Sequence, residues 1–198
     1  MAQKRKDWNG LISGFKASDL VFLDESGCNT DMTRRYAYSL GGSRAVDSAP
    51  LSKPKNTTIL SSIQLDGTLR YTTFSGGTTV ERFKRYLETD LLPHLNGNSV
   101  LIMDNMKSHH AKAVRNLLDS SEIRYIYLPP YSPDLDPIEK LRSKIKALLR
   151  KFKARTFKTL PYAIQYACGL VSLLWIYALI SLIVLVCSAS VILTSQAI

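Results

Sequence analysis

Four apolar residues followed by two acids and a glycine make up most of DLVFLDESG, Asp19 to Gly27. That run predicts a buried strand leading into a turn. RRYAYSLGG, Arg34 to Gly42, alternates weakly and stops at paired glycines, which predicts a further strand. SAPLSKPKN reads as a loop. TTILSSIQLDGTLRYTTFSGG, from position 57 to 77, predicts two strands joined at Asp66-Gly67, a hairpin dipeptide. Thr79 then precedes Val80, Phe83, Leu87 and Leu91 at helical spacing, with Thr79 as the cap. SVLIMDN is another strand that ends in an acid. SHHAKAVRNLLDSS predicts a helix capped by Ser108, and IRYIYLP a third apolar-rich strand. The proline-broken loop PYSPDLDP leads into a last helix, whose apolar stripe is Ile138, Leu141, Ile145, Leu148 or Leu149, and Phe152. Strands alternating with helices imply an α/β fold in which helices flank a mixed sheet. No internal repeat is present.

Charge sharpens this picture. The 198 residues carry a formal net charge of +10, an excess suited to a polyanionic partner or an anionic surface. Its distribution is uneven. Lys and Arg recur from Lys140 to Lys158 with no acid among them, and no charged side chain occurs from Thr159 to Ile198. Leu170 to Leu193 is long and apolar enough to cross a bilayer as a helix. Cys28, Cys168 and Cys187 are scattered, without zinc spacing. No phosphate-binding glycine loop followed by Lys is found, so ATP use is not indicated.

The acids at strand ends carry the chemistry. Asp24 and Asp104 each close an apolar strand, and functional groups of open α/β sheets collect beyond the carboxyl ends of strands. Glu139 lies three residues past Asp136, which can cap the last helix with Pro137 in its first turn. Glu139 also fits a capping-box acid. Taken together, the three acids are hard oxygen ligands suited to Mg²⁺ or Mn²⁺. A pair of such ions would clamp both oxygens of an in-line phosphoryl displacement. Lys140, Arg142, Lys144, Lys146, Arg150, Lys151 and Lys153 on the last helix, with Arg34, Arg35 and Arg44 near the N-terminal strands, are candidate contacts to a DNA backbone. A merely solvated basic face is the alternative. Glu25, adjoining Asp24, points elsewhere if the strand continues.

Three stretches, LDESG at Leu23 to Gly27, MDNMKSHH at Met103 to His110 and LPPYSPDLDPIE at Leu128 to Glu139, resemble the catalytic domain of DDE transposases. The resemblance is to the mariner-like superfamily and its bacterial insertion-sequence branch, and the interval from Asp104 to Glu139 is the one that family shows. It implies a ribonuclease H-like fold and metal-dependent DNA cleavage with strand transfer at insertion-sequence ends. Asp24, Asp104 and Glu139 take the three catalytic, metal-holding roles, with two Mg²⁺ or Mn²⁺ ions. Asn105 and His109 fall at positions that support the site or place DNA. The implied partners are double-stranded DNA including transposon ends, and a second copy in the active complex. The implied location is the cytoplasm, with the nucleoid.

Departures from the family pattern qualify this. Asp136 stands where asparagine is usual, and Arg142 where tryptophan is frequent. No helix-turn-helix domain is expected within the sequence, residues 1–17 are expected to be a linker or remnant of such a region, and specific DNA recognition is expected to come from a separate chain. Residues 18–165 are expected to form the catalytic domain. Residues 166–198 are expected to form an atypical apolar C-terminal tail: a frameshifted or foreign end, a membrane anchor acting through 170–193, or a buried helical extension. Two other functions stay open: a nuclease of the same fold that never joins strands, and an inactive remnant associated with DNA or membrane.

Overall fold

The computed structural model describes residues 2–34, 36–51 and 53–171. Five strands form one mixed sheet in the order β3-β2-β1-β4-β5: β1 (Leu20–Asn29), β2 (Asn56–Gln64), β3 (Leu69–Ser75), β4 (Val100–Met103) and β5 (Arg124–Tyr127). β1, β2 and β3 pair antiparallel in succession. β4 and β5 add in parallel on the other side of β1. The hairpin turn between β2 and β3 is closed by Gly67, whose φ of 85° suits glycine, and by Asp66 accepting from the Thr68 amide.

Alternation along β1 divides the interior into two cores. Leu20 and Phe22 face a layer made by helices α1 (Ala2–Ile12), α4 (Pro137–Phe152) and α5 (Leu160–Gly169), where Trp8, Leu141, Ile145, Leu149 and Ile164 are buried. Val21 and Leu23 face α2 (Val80–Tyr86) and α3 (Lys112–Ser120), where Phe83, Tyr86, Val114 and Leu118 are buried. Burial on both faces explains why β1 and β4 read as unbroken apolar runs. Thr79 caps α2 as expected, accepting from the Arg82 amide, and the chain continues through a π-helical turn, Leu87–Leu91.

Several expectations are corrected. Residues 31–55 contribute no strand among those described, and Arg34 and Arg44 are exposed there; Arg35 lies outside the described residues. Both edges of β1 are already taken by β2 and β4, so a weakly alternating segment has no place beside it. Residues 1–17, expected as a linker or remnant, include helix α1, which buries Trp8 and Ile12. Arg5 ties that helix to Asp134 and Ser132 of the proline loop. Ser108 does not cap α3, which starts at Lys112. Finally, the expected apolar tail is corrected as far as it is described: among the described residues no helix is long and apolar enough to cross a membrane. The uncharged sequence instead begins inside the core, with Leu160, Ile164, Ala167 and Cys168 buried in α5. Residues 172–198, which include most of the candidate span, lie outside the described residues.

Leu141 is fully buried among the sheet-facing side chains of α4. Leu141→Ala is expected to lower unfolding stability by about 2–5 kcal/mol, read from urea denaturation with an unchanged m-value.

Candidate active site

Helix α4 begins where the sheet ends, and local chemistry fixes its start. Asp136 accepts from the Ile138 amide at 3.1 Å, and Pro137 occupies the first turn. The Asp136 amide donates to the Pro133 carbonyl, and Glu139 faces Arg142 instead of returning to the cap. Glu139 is therefore not used as a capping-box acid. Its side chain turns instead to the cavity beside β1 and the turn after β4.

Asp24, Asp104 and Glu139 line one cavity of about 620 Å³, together with Glu25, Asp136 and the Pro129–Pro133 loop. Each arrives from a different element: the β1 strand, the turn after β4, and the first turn of α4. Asp24 has the parity of Leu20 and Phe22, so it points to the α4 side. There Arg142 donates to it and, at 3.2 Å, to Glu139. Glu25 has the opposite parity and meets His109 on the α2–α3 side, Oε1 to Nε2 at 3.0 Å. His109 Nδ1 lies 2.9 Å from Asp104 Oδ1, and Phe83 stacks on the imidazole with ring centroids 4.2 Å apart.

The site thus holds five carboxylates around two internal cations. Burial pushes the Asp24 carboxyl up to about 6, against the pull of Arg142 and with the Asp104 charge adding to the rise. Burial also pushes Asp136 well above the usual carboxylate range, reinforced by Asp24. For Asp104, burial raises the carboxyl, but hydrogen bonds from His109 and the Met106 amide, with the charges of His109 and Arg142, carry it below its ordinary value. Burial disfavours the charged imidazole of His109, yet its bonds to Asp104 and Glu25 lift it to about 10. An imidazolium bridging two carboxylates results.

Glu25, Asp104 and His109 also form a candidate cation site, with one ligand atom from each within 4.8 Å of the others. Both nitrogens of His109 already face carboxylates, which favours the imidazolium there. Asp24, Asp104 and Glu139 offer hard oxygens on the open cavity, and the guanidinium between Asp24 and Glu139 shows that those two can share one positive centre. That donor set fits divalent metal.

The other expected residues separate. Asn105 Nδ2 donates to the Leu128 carbonyl and so ties the turn after β4 to the chain leaving β5. Lys140, Lys144 and Lys151 are exposed on α4, and Lys153, exposed just past its end, is paired to Asp47. Lys146 and Arg150 line a second, polar cavity of about 330 Å³ with Gly27, Asn29 and Asp31. Arg142, grouped with the DNA-backbone contacts from sequence, lies instead on the acids. The Glu25–His109 pair was not evident from sequence. Strand parity sent Glu25 away from Asp24, but nothing local named its partner.

Residues 19–161 match the family model described as DDE superfamily endonuclease. The fold matches a pre-cleavage Mos1 transpososome at TM-score 0.78 and 19% identity, covering 95% of this chain and 61% of that one. It matches the Mos1 mariner paired-end complex with Mn at TM-score 0.74 and 20% identity, covering 94% and 61%. For the Mos1 catalytic domain with Raltegravir and Mg, the TM-score is 0.66 at 17% identity, covering 94% and 92%. A search of curated proteins yields no match. The chain spans about three-fifths of the longer Mos1 chains. The expected placement in a bacterial insertion-sequence branch is corrected by these findings: the structures whose fold it shares are those of Mos1 mariner transposase.

With no exposure at His109, its removal leaves Glu25 buried beside Asp104 without a counter-charge. His109→Leu is expected to cost about 3–5 kcal/mol in urea unfolding. Adding Glu25→Leu should recover part of that loss, which a double-mutant cycle measures.

Proposed function

Because the chain belongs to the DDE superfamily endonucleases, we propose that it carries the catalytic core of a transposase that cuts DNA and transfers strands at the ends of a mobile element. The observation carrying this reading is the convergence of Asp24, Asp104 and Glu139 on one open cavity. These three would hold two Mg²⁺ or Mn²⁺ ions. Bound there, the metal would activate the attacking water or 3′-hydroxyl and stabilise the leaving oxygen.

The chain's own residues prepare that chemistry. His109 keeps Asp104 ionised and fixes its carboxylate toward the cavity. Asp136 and Pro137 set the direction from which Glu139 enters. Asn105 braces the loop that forms the cavity's far wall. Lys146 and Arg150, with the exposed lysines of α4, would hold phosphates of the DNA backbone and leave base choice to other contacts. Relatives solved as paired-end and strand-transfer complexes of Mos1 transposase support transposon ends as the substrate and a second copy as the partner.

The test is cleavage of supercoiled DNA by the full-length chain. Nicking that needs Mg²⁺ or Mn²⁺, and that falls more than about 100-fold in Asp104→Asn, is expected, since loss even of a partner outside the ligand set costs about 10–100-fold. Metal-independent nicking, or nicking retained in that variant, would remove the reading. Joined products with terminal-repeat DNA separate a transposase from a nuclease of the same fold.

A further inference from the structure

Arg142 occupies an unusual position for a basic residue on a helix otherwise lined with candidate phosphate contacts. It sits one turn past Glu139, and its side chain returns toward the helix N-terminus, as helical side chains do. Its Nη1 donates to Asp24 Oδ2 and also to Glu139 Oε1 at 3.2 Å. The side chain is 18% exposed, against 8% for Asp24 and 43% for Glu139. Its Nε–H is buried with no partner. The guanidinium therefore lies across the two carboxylates while one of its donors goes unmet, and an unmet buried donor weakens the hold.

A divalent ion bound by Asp24 and Glu139 needs the same oxygens. The guanidinium has no oxygen to offer a metal, so it and a divalent ion on those oxygens would only repel each other in a partly buried setting. We propose that Arg142 is a tethered counter-cation that holds Asp24 and Glu139 together until a divalent ion displaces it, and that this residue thereby sets how tightly the site takes metal. The proposal rests on reading Asp24 and Glu139 as ligands. Arg142 is a positioning residue in this scheme: it aligns two acids that would otherwise repel each other and Asp104. Once displaced, its guanidinium stays at the cavity it lines, where a phosphodiester is the anion open to it.

Two effects of opposite sign follow for Arg142→Met, which keeps the aliphatic bulk and removes the charge. Without metal, the variant is less stable, because the acids lose their counter-charge. With Mn²⁺, it binds more tightly, because the fraction of chains ready for metal no longer includes a competitor. If Arg142 is in place in about nine chains of ten, the gain in affinity is about tenfold. A residue that only supported the fold would loosen Mn²⁺ on removal.

The experiment is titration of the full-length chain with Mn²⁺, following free Mn²⁺ by electron paramagnetic resonance and melting temperature in parallel. Arg142→Met is expected to lower the Mn²⁺ dissociation constant about tenfold and to show the larger Mn²⁺-induced rise in melting temperature. Arg142→Lys, with its charge but not its fork, is expected to fall between the two, and gives a second reading should the Met variant not fold. Equal or weaker Mn²⁺ binding in both variants overturns the role of Arg142 alone. Mn²⁺ binding that Asp24→Asn leaves untouched, or no binding by any form, overturns the metal site itself and this proposal with it.

Discussion

The structure turns on how one strand disposes of two adjacent acids. β1 is covered on both faces, and its apolar run gives way at Asp24 and Glu25, which are 5% and 9% exposed. Strand alternation sends them to opposite sides of the sheet. A buried carboxylate left alone costs several kcal/mol, so each side must supply a cation. α4 supplies Arg142 to Asp24, and the turn before α3 supplies His109 to Glu25. Two elements far apart in sequence are therefore pinned to the middle of one strand by charge, while the apolar layers beside them fix the rest of the sheet.

That division explains what could be read from the sequence. Most elements set by local rules were legible: the apolar strand runs, the Asp66-Gly67 turn, the Thr79 cap, and the Asp136-Pro137 start of α4; but where a turn was expected by Gly27, β1 runs on to Asn29 because β2 pairs with it throughout. Features set by distant partners were not legible. α1 offers little apolar pattern, and its docking depends on Trp8, Ile12 and an arginine reaching the loop at Ser132 and Asp134. The Arg34–Gly42 segment alternates like a strand, yet the edges of β1 were already filled. Ser108 looked like a cap, but His109 has to enter the core against Phe83, and a turn there, with the His109 carbonyl held by Tyr127, replaces the first helical turn.

The same distinction runs through the site. Asp24, Asp104 and Glu139 line one cavity, but they reach it by different routes: Asp104 follows β4 and Glu139 opens α4, as the pattern suggests, whereas Asp24 sits in the middle of β1. Their electrostatic partners follow no such pattern. Glu25 and His109 are 84 positions apart, and no spacing rule connects them. The sequence put Arg142 among the basic residues of the last helix, yet it lines the acidic cavity while Lys146 and Arg150 line another. Charge alone could not tell that its side chain reaches back to Glu139 and across to Asp24 rather than outward.

α4 then carries two opposite demands along one axis. Its first turn holds Asp136 and Glu139 near Asp24, and its last turn holds Arg150 and Lys151. The helix dipole favours acids at the first end and bases at the second, so the backbone agrees with both. Arg142 sits at the junction, bound to the acids but one turn from Lys146. A phosphate chain laid along the helix would meet fixed positive charge toward its far end and a cluster of carboxylates at its start. Only added cations can make that start tolerable to a phosphate. Arg142 supplies one such charge from within the chain, and the three acids at the cavity leave negative charge for divalent metal to answer.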